Sequence, residues 1–230
     1  MTGLPIFIFQ LAVLIFSVMI HEVSHGYVAD KLGDPTARLA GRLTLNPLKH
    51  LDPFGSIILP LILAIPALLG QPAFIFGWAR PVPYNPYNLK DPEKGGAMIA
   101  AAGPLSNIFL AAIFGIIIRI VVAGSIGSGA LISLLSIIVS INLLLAFFNL
   151  IPIPPIDGSK ILSYVLPHMA RVRWHNFWRK AGYWIAKNKF LFLIVLFLSF
   201  RYIFSFIAIL IAPPINFFHT LFAGFPSPFF

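Results

Sequence analysis

The chain has 230 residues, 59% of them hydrophobic and 10% charged, with a formal net charge of +9. Soluble globular domains carry roughly 45–50% apolar and about 25% charged residues, so this balance excludes a water-facing fold and implies a membrane as solvent. The absence of cysteine removes disulfides, thiolate metal sites and a cysteine nucleophile together, which leaves only nitrogen and oxygen ligands for any metal.

The first apolar stretch runs from Leu4 to about Ile20. It has no basic leader and runs into a histidine pair rather than a small-residue cleavage site, so it reads as a retained helix and not as a signal peptide. Its helix is expected to end near Leu32, where Gly33 can supply a left-handed cap and Pro35 blocks continuation. A polar stretch, ADKLGDPTARLAGRLTLNPLKHLDPFG, follows as an interfacial loop. His50 and Asp52 within it sit among Asn46, Pro47, Pro53 and Gly55 and read as turn residues rather than a second metal site.

The run Ser56 to Gly70 is short and holds Pro60 and Pro66, which fits either a kinked crossing or a re-entrant segment. PAFIFGWARPVPYNPYNLKDPEKGG then reads as extended or turn structure near the headgroups, not as helix. Ala97 to Ile118 is the second firm helix; an uncharged GSIGSG turn reverses the chain; Leu131 to Leu150 returns and ends in PIPPIDGSKIL. Beyond that, seven of the sixteen basic residues fall between Lys160 and Lys189, and no acid follows Asp157. Flanked by apolar helices, this segment is expected on the cytoplasmic side against anionic headgroups, with Trp174, Trp178 and Trp184 on an amphipathic surface helix; nucleic acid is not the expected partner. A last apolar segment covers 190–212.

The expected fold is an all-α multi-pass membrane protein of one domain, residues 1–230. Three transmembrane helices form its core, about 4–166, around a metal site; a basic interfacial loop, 167–189, and the last membrane segment follow, with a small extended or β segment at the cytoplasmic interface. The uncharged turn places Asp157 on the cytoplasmic side, and Lys31 to Lys49 share that side if Asp157 meets the end of the first helix.

HEVSH, at His21 to His25, carries the chemistry. Histidines four apart share one helical face and point both imidazoles at one metal, and Glu22 lies beside them, placed to take a proton from an attacking water. Of the seven acids, Asp30, Asp34, Asp52, Asp91 and Glu93 fall in polar loops; Glu22 and Asp157 alone stand in apolar surroundings, where an unpaired carboxylate costs a few kcal/mol. A catalytic zinc commonly takes three protein ligands and keeps a fourth position open, a set that His21, His25 and Asp157 would complete. The other reading of Asp157 is an N-cap for a helix starting at Gly158. Pro152, Pro154 and Pro155 unwind the chain there, which membrane depth tolerates against protein or a water-filled cavity.

HEVSHGY, AAGPLSN at Ala101 to Asn107 and FFNLIPIPPIDG at Phe147 to Gly158 resemble, in order and spacing, the three core motifs of the site-2 protease family. NPLKHLDPFG and FGWARPVPYNP further resemble its compact bacterial and archaeal branch, with no match to the PDZ or CBS attachments of other members. The resemblance implies one Zn²⁺ on His21, His25 and Asp157, Glu22 as general base, and hydrolysis of peptide bonds in or beside transmembrane segments of membrane proteins. It also implies a polar role near the scissile carbonyl for Asn149, which can donate to an oxyanion from the helix end; Asn107 is a weaker candidate for the same role. For Asn149, as for Asn142 one heptad earlier, an interhelical hydrogen bond is the structural alternative. Gly103 and Pro104 read as architectural, through close backbone approach and helix initiation. Expected partners are transmembrane substrates, the bilayer and a second copy of the chain. The rival function is a metal-binding or transport protein with His21, Glu22 and Asp157 along an ion path.

Overall fold

The computed structural model describes residues 4–59, 61, 62, 65 and 80–228. Helices dominate: α1 is Leu4–Lys31, α2 the single turn Thr36–Leu39, α3 Pro92–Ala123, α4 Gly129–Asn149, α5 Asp157–Val165, α6 His168–Lys187 and α7 Lys189–Ala223. Helices α1, α3, α4 and the Ser205–Ala223 part of α7 are long and apolar enough to cross ~30 Å of hydrocarbon. The outward side of α3 exposes Leu105, Phe109, Ile116 and Ile120, a surface that only lipid or another apolar chain can cover.

Helix α3 is the hub, packing against α1, α4, α5 and α7. Its later half meets α4 and α7 in an apolar cluster of Ala111, Ile118, Val139, Leu143, Ile211 and Ile215. At Gly115 the helices come so close that a Cβ would lie 2.4 Å from Phe222 Cβ. Arg119, one turn on, donates to the Thr220, Leu221 and Phe222 carbonyls and so satisfies the C-terminal end of α7, which closes on Gly224 at φ +94°.

The first helix ends at Lys31 with Gly33 at φ +105°, as its Gly and Pro signals indicate. Two other boundaries differ from expectation. Helix α3 starts at Pro92, inside the stretch read as non-helical, because Asp91 accepts from the Glu93 and Lys94 amides and Pro92 occupies the first helical position. Pro104 therefore lies inside α3 rather than at its start. The last segment does not stop near residue 212: α7 continues through Pro213 and Pro214 to Ala223, and the tail turns back so that Ser227 Oγ meets Ser140 Oγ at 3.0 Å.

The basic segment after Pro167 is the helix α6, none of whose residues is buried, with Arg171 paired to Glu93 in the first turn of α3. Between α2 and α3, Asn46 and Asp52 cap short turns at Pro47–Lys49 and Pro53–Ile58. Residues 59, 61, 62 and 65 are helical; residues 60, 63, 64 and 66–79, which take in the rest of the segment to Gly70 and the first part of the expected extended stretch from Pro72, lie outside the described residues. Arg80 to Asn85 is an irregular extended strap, tied to the polar loop by Arg80 N donating to His50 O at 2.8 Å.

Candidate metal centre

One face of α1 meets one face of α3. On α1 the face is His21 and His25, four apart; on α3 it is Ile99, Gly103 and Asn107, also at four-residue intervals. The two helices run in opposite directions, so His21 pairs with the later position and His25 with the earlier. His21 Nδ1 lies 2.6 Å from Asn107 Oδ1, and His25 Nδ1 lies 2.6 Å from the Ile99 carbonyl. Both partners are acceptors, so each ring carries its hydrogen on Nδ1 and turns the Nε2 lone pair the other way.

Gly103 sits under both rings. A Cβ there would fall 2.5 Å from His21 Nε2 and 2.6 Å from His25 Cε1, so no side chain fits. Pro104 beside it has no N–H, which leaves the Ala100 carbonyl without its helical donor and loosens the turn that offers Ile99 O to His25. The rings stand edge to face with centroids 4.6 Å apart.

Asp157 closes the site from a third element. The chain after α4 makes an irregular proline-rich turn and re-enters helix at Asp157, with Ile156 in the capping position and no side-chain cap. The Asp157 carboxylate does not cap α5: its Oδ2 lies 3.2 Å from both His21 Nε2 and His25 Nε2. Gly158 makes this possible, since a Cβ there would meet the Leu150 carbonyl oxygen at 2.2 Å.

A carboxylate oxygen thus faces two nitrogen lone pairs in a largely buried pocket. Three acceptors turned on one point repel each other unless protons or a cation lie between them. Two imidazoles and a carboxylate are the nitrogen and oxygen donors a divalent metal takes, and ligand atoms of His21, Glu22 and His25 also fall within 4.8 Å of one another. The residues present therefore fit a metal.

Glu22 comes from the same turn of α1 but is held from elsewhere: its Oε2 accepts from the Val82 backbone N–H at 2.9 Å. The candidate asparagines separate. Asn107 is fully buried, and its amide nitrogen donates to Asn142 Oδ1 at 2.9 Å and to Ser17 O at 3.3 Å, while its oxygen serves His21. Both its hydrogens are thereby spent. Asn149, in the last turn of α4, donates one hydrogen to Leu145 O at 2.9 Å. His50 is buried in its turn, donating from Nε2 to Thr44 O at 2.9 Å, and Asp52 accepts from the Phe54 and Gly55 amides.

Sequence reasoning passed over Asp34 and Arg42, counted as polar-loop residues. Asp34 is fully buried and accepts from Asn85 N at 2.6 Å and Asn88 Nδ2 at 2.7 Å, pinning the far end of the strap. Burial would raise its pKa, but hydrogen bonds from Thr36, Asn88 and Asn85 leave it below the ordinary carboxylate value. The Asp-Pro pair at 34–35 signals a turn but says nothing of burial.

A family model described as Peptidase family M50 matches residues 115–196, a span that holds Asn149 and Asp157 but not HEVSH. YwhC of Bacillus subtilis, which carries the provisional name zinc metalloprotease, is 42% identical over 165 residues, 70% of each chain. A protein of Methanocaldococcus jannaschii with the same provisional name is 34% identical over 163 residues, 69% of this chain and 71% of its own. Rip2 of Mycolicibacterium smegmatis, named likewise, is 28% identical over 164 residues, 71% of this chain and 58% of its own. No solved structure matches. The identity to YwhC, spread over more than two thirds of both chains, agrees with the resemblance in the three motifs: the chain belongs to peptidase family M50, the site-2 protease family.

Proposed function

We propose that this chain is a zinc-dependent intramembrane endopeptidase that hydrolyses peptide bonds in or beside the transmembrane segments of membrane proteins, with its active site toward the cytoplasmic side. The observation that carries the reading is the convergence of His21 Nε2 and His25 Nε2 on one oxygen of Asp157, 3.2 Å from each, at the end of an apolar helix. The zinc metalloprotease names of its relatives support zinc as the metal. Family membership supports membrane proteins as substrates.

In this reading His21, His25 and Asp157 hold the metal, and Asn107 and the Ile99 carbonyl fix the two rings. Zinc bound there supplies Lewis acidity to the scissile carbonyl and lowers the pKa of water. Glu22 takes a proton from the attacking water as its oxygen bonds to the carbonyl carbon, and returns a proton to the leaving amine as the C–N bond breaks. Asn149, with an amide hydrogen beyond the one given to Leu145, is assigned the oxyanion; Asn107, with none left, is assigned to His21. A helical substrate hides its peptide bonds, so it must unwind locally before attack. The basic helix α6 supports a cytoplasmic placement of this end of the molecule.

Metal content decides this reading. Wild type purified in detergent is expected to hold one zinc per chain by elemental analysis, and to cleave single-span membrane peptides until a chelator is added. His21→Ala, His25→Ala and Asp157→Ala should each lose the zinc and the cleavage together; a full zinc content in all three would overturn it. Metal flux through wild type in liposomes, without cleavage, would replace it with the transport reading.

A further inference from the structure

One peptide unit of the strap from Arg80 to Asn85 hydrogen-bonds to a side chain of α1. Val82 N–H donates to Glu22 Oε2 at 2.9 Å. On the other side of the same strap, Arg42 Nη2 donates to the Arg80 carbonyl at 2.6 Å and to the Pro81 carbonyl at 3.3 Å. The peptide group joining Pro81 to Val82 is therefore held by its oxygen on a guanidinium and by its hydrogen on the carboxylate assigned as base.

The surroundings keep that peptide group in place. Arg80 N donates to His50 O at 2.8 Å, ahead of it, and Asn85 N donates to the buried Asp34 at 2.6 Å, behind it. Gly26, next to His25, admits the strap: a Cβ there would lie 2.7 Å from Val82 Cγ1 and 2.8 Å from Leu43 Cδ2. Arg42 is itself only 8% exposed, an unusual place for a guanidinium that pairs with no carboxylate among the described residues. Burial and the Arg80 charge push its pKa below the ordinary arginine value, while the Glu22 charge pulls it back, so the acid that favours this buried cation is the catalytic one. A cationic donor on the carbonyl also polarises the amide and strengthens its N–H as a donor.

We infer that Arg42 is a positioning residue for the reaction, acting on Glu22 through the Pro81–Val82 peptide group. The inference rests on the reading of Glu22 as general base: the peptide unit holds Oε2 of Glu22 and leaves Oε1 to face the water. The carboxylate then works in one orientation, and loss of the grip lets it rotate out of reach, an error of about 1 Å that costs up to about 10²-fold in rate.

The sequence supplies a specific probe, because Pro81–Val82 is the single Pro–Val pair in the chain. Labelling proline with ¹³C at the carbonyl and valine with ¹⁵N isolates the Val82 amide in an NMR spectrum of the intact detergent-solubilised protein. Its proton resonance is expected well downfield in wild type and shifted upfield in both Arg42→Ala and Glu22→Gln. Arg42→Ala is expected to lower kcat by about 10- to 100-fold with KM, zinc content and melting temperature little changed, and Arg42→Lys to restore part of the loss. Val82→Pro, which deletes the donor, should match it, and the double variant should lose no more than the worse single one, because both act through one peptide group. A Val82 resonance unmoved by Arg42→Ala, or wild-type kcat in Val82→Pro, would overturn the inference while leaving the protease reading intact. Full activity in Glu22→Gln would instead overturn the reading beneath it. If Arg42→Ala does not fold, Arg42→Lys and Val82→Pro decide alone.

Discussion

Asn107 Oδ1 lies 2.6 Å from His21 Nδ1, joining two helices across 86 residues of chain in a position sealed from solvent. Asn142 holds Asn107 in turn, so a relay of two amides from α4 and α3 sets the tautomer and the angle of one imidazole on α1. Outer partners of metal-binding histidines typically matter by about 10- to 100-fold in affinity. Asn107→Ala should weaken zinc binding by about that factor, read by competition with a chelator of known affinity, and lower activity only to the extent that zinc is lost; saturating zinc should restore it.

Gly103→Ala should be more severe than its size suggests. The new methyl would sit about 2.5 Å from atoms of both rings, with α3 packed behind it and no flexible side chain to yield. Overpacking of this kind costs about 1–3 kcal/mol. The expected outcome is a lowered melting temperature and zinc content far below one per chain, in a protein that still inserts; a variant with normal zinc would show that α1 and α3 can separate without losing the site.

Asn149→Ala should divide from Asn107→Ala in its kinetics. With the oxyanion role on Asn149, zinc content stays at the wild-type level and kcat falls by roughly 10²- to 10³-fold. Unchanged kcat would reduce Asn149 to its bond with Leu145 in α4.

Asp34 gives the pH dependence. Its folded pKa is below the ordinary carboxylate value, so the stability it contributes is fully present above its unfolded pKa, about 3.9, and is lost as pH falls through the folded value. Asp34→Asn turns an amide hydrogen on the Asn85 or Asn88 donors and should cost about 1–3 kcal/mol at neutral pH. The gap in melting temperature between the two proteins should narrow as pH is lowered below about 4; a gap independent of pH would mean that Asp34 is not ionised in the folded protein.

His21 and His25 were legible in the sequence because a four-residue spacing on a helix fixes a shared face without reference to anything else in the chain. The Ile99, Gly103 and Asn107 face follows the same spacing, but the histidine that each position serves depends on the antiparallel packing of α1 and α3, which is a tertiary fact. The α3 start at Pro92 was written in the Asp91-Pro92 pair and was overridden by the density of prolines and aromatics before it. The run of α7 through Pro213 and Pro214 was not legible, since local rules end a helix there, and packing against α3 and α4 at Ile211 and Ile215 sustains it. Arg42 and Asp34 look like loop charges in one dimension; only the strap that crosses the end of α1 buries them.

In the proposed mechanism Glu22 moves the protons of a peptide hydrolysis whose metal would be held by His21, His25 and Asp157. The most direct measurement compares wild type with Glu22→Gln, both assayed for bound zinc and for cleavage of a single-span membrane peptide. One zinc per chain is expected in both proteins, with chelator-sensitive cleavage in wild type alone. Equal cleavage by the two would remove Glu22 from the chemistry.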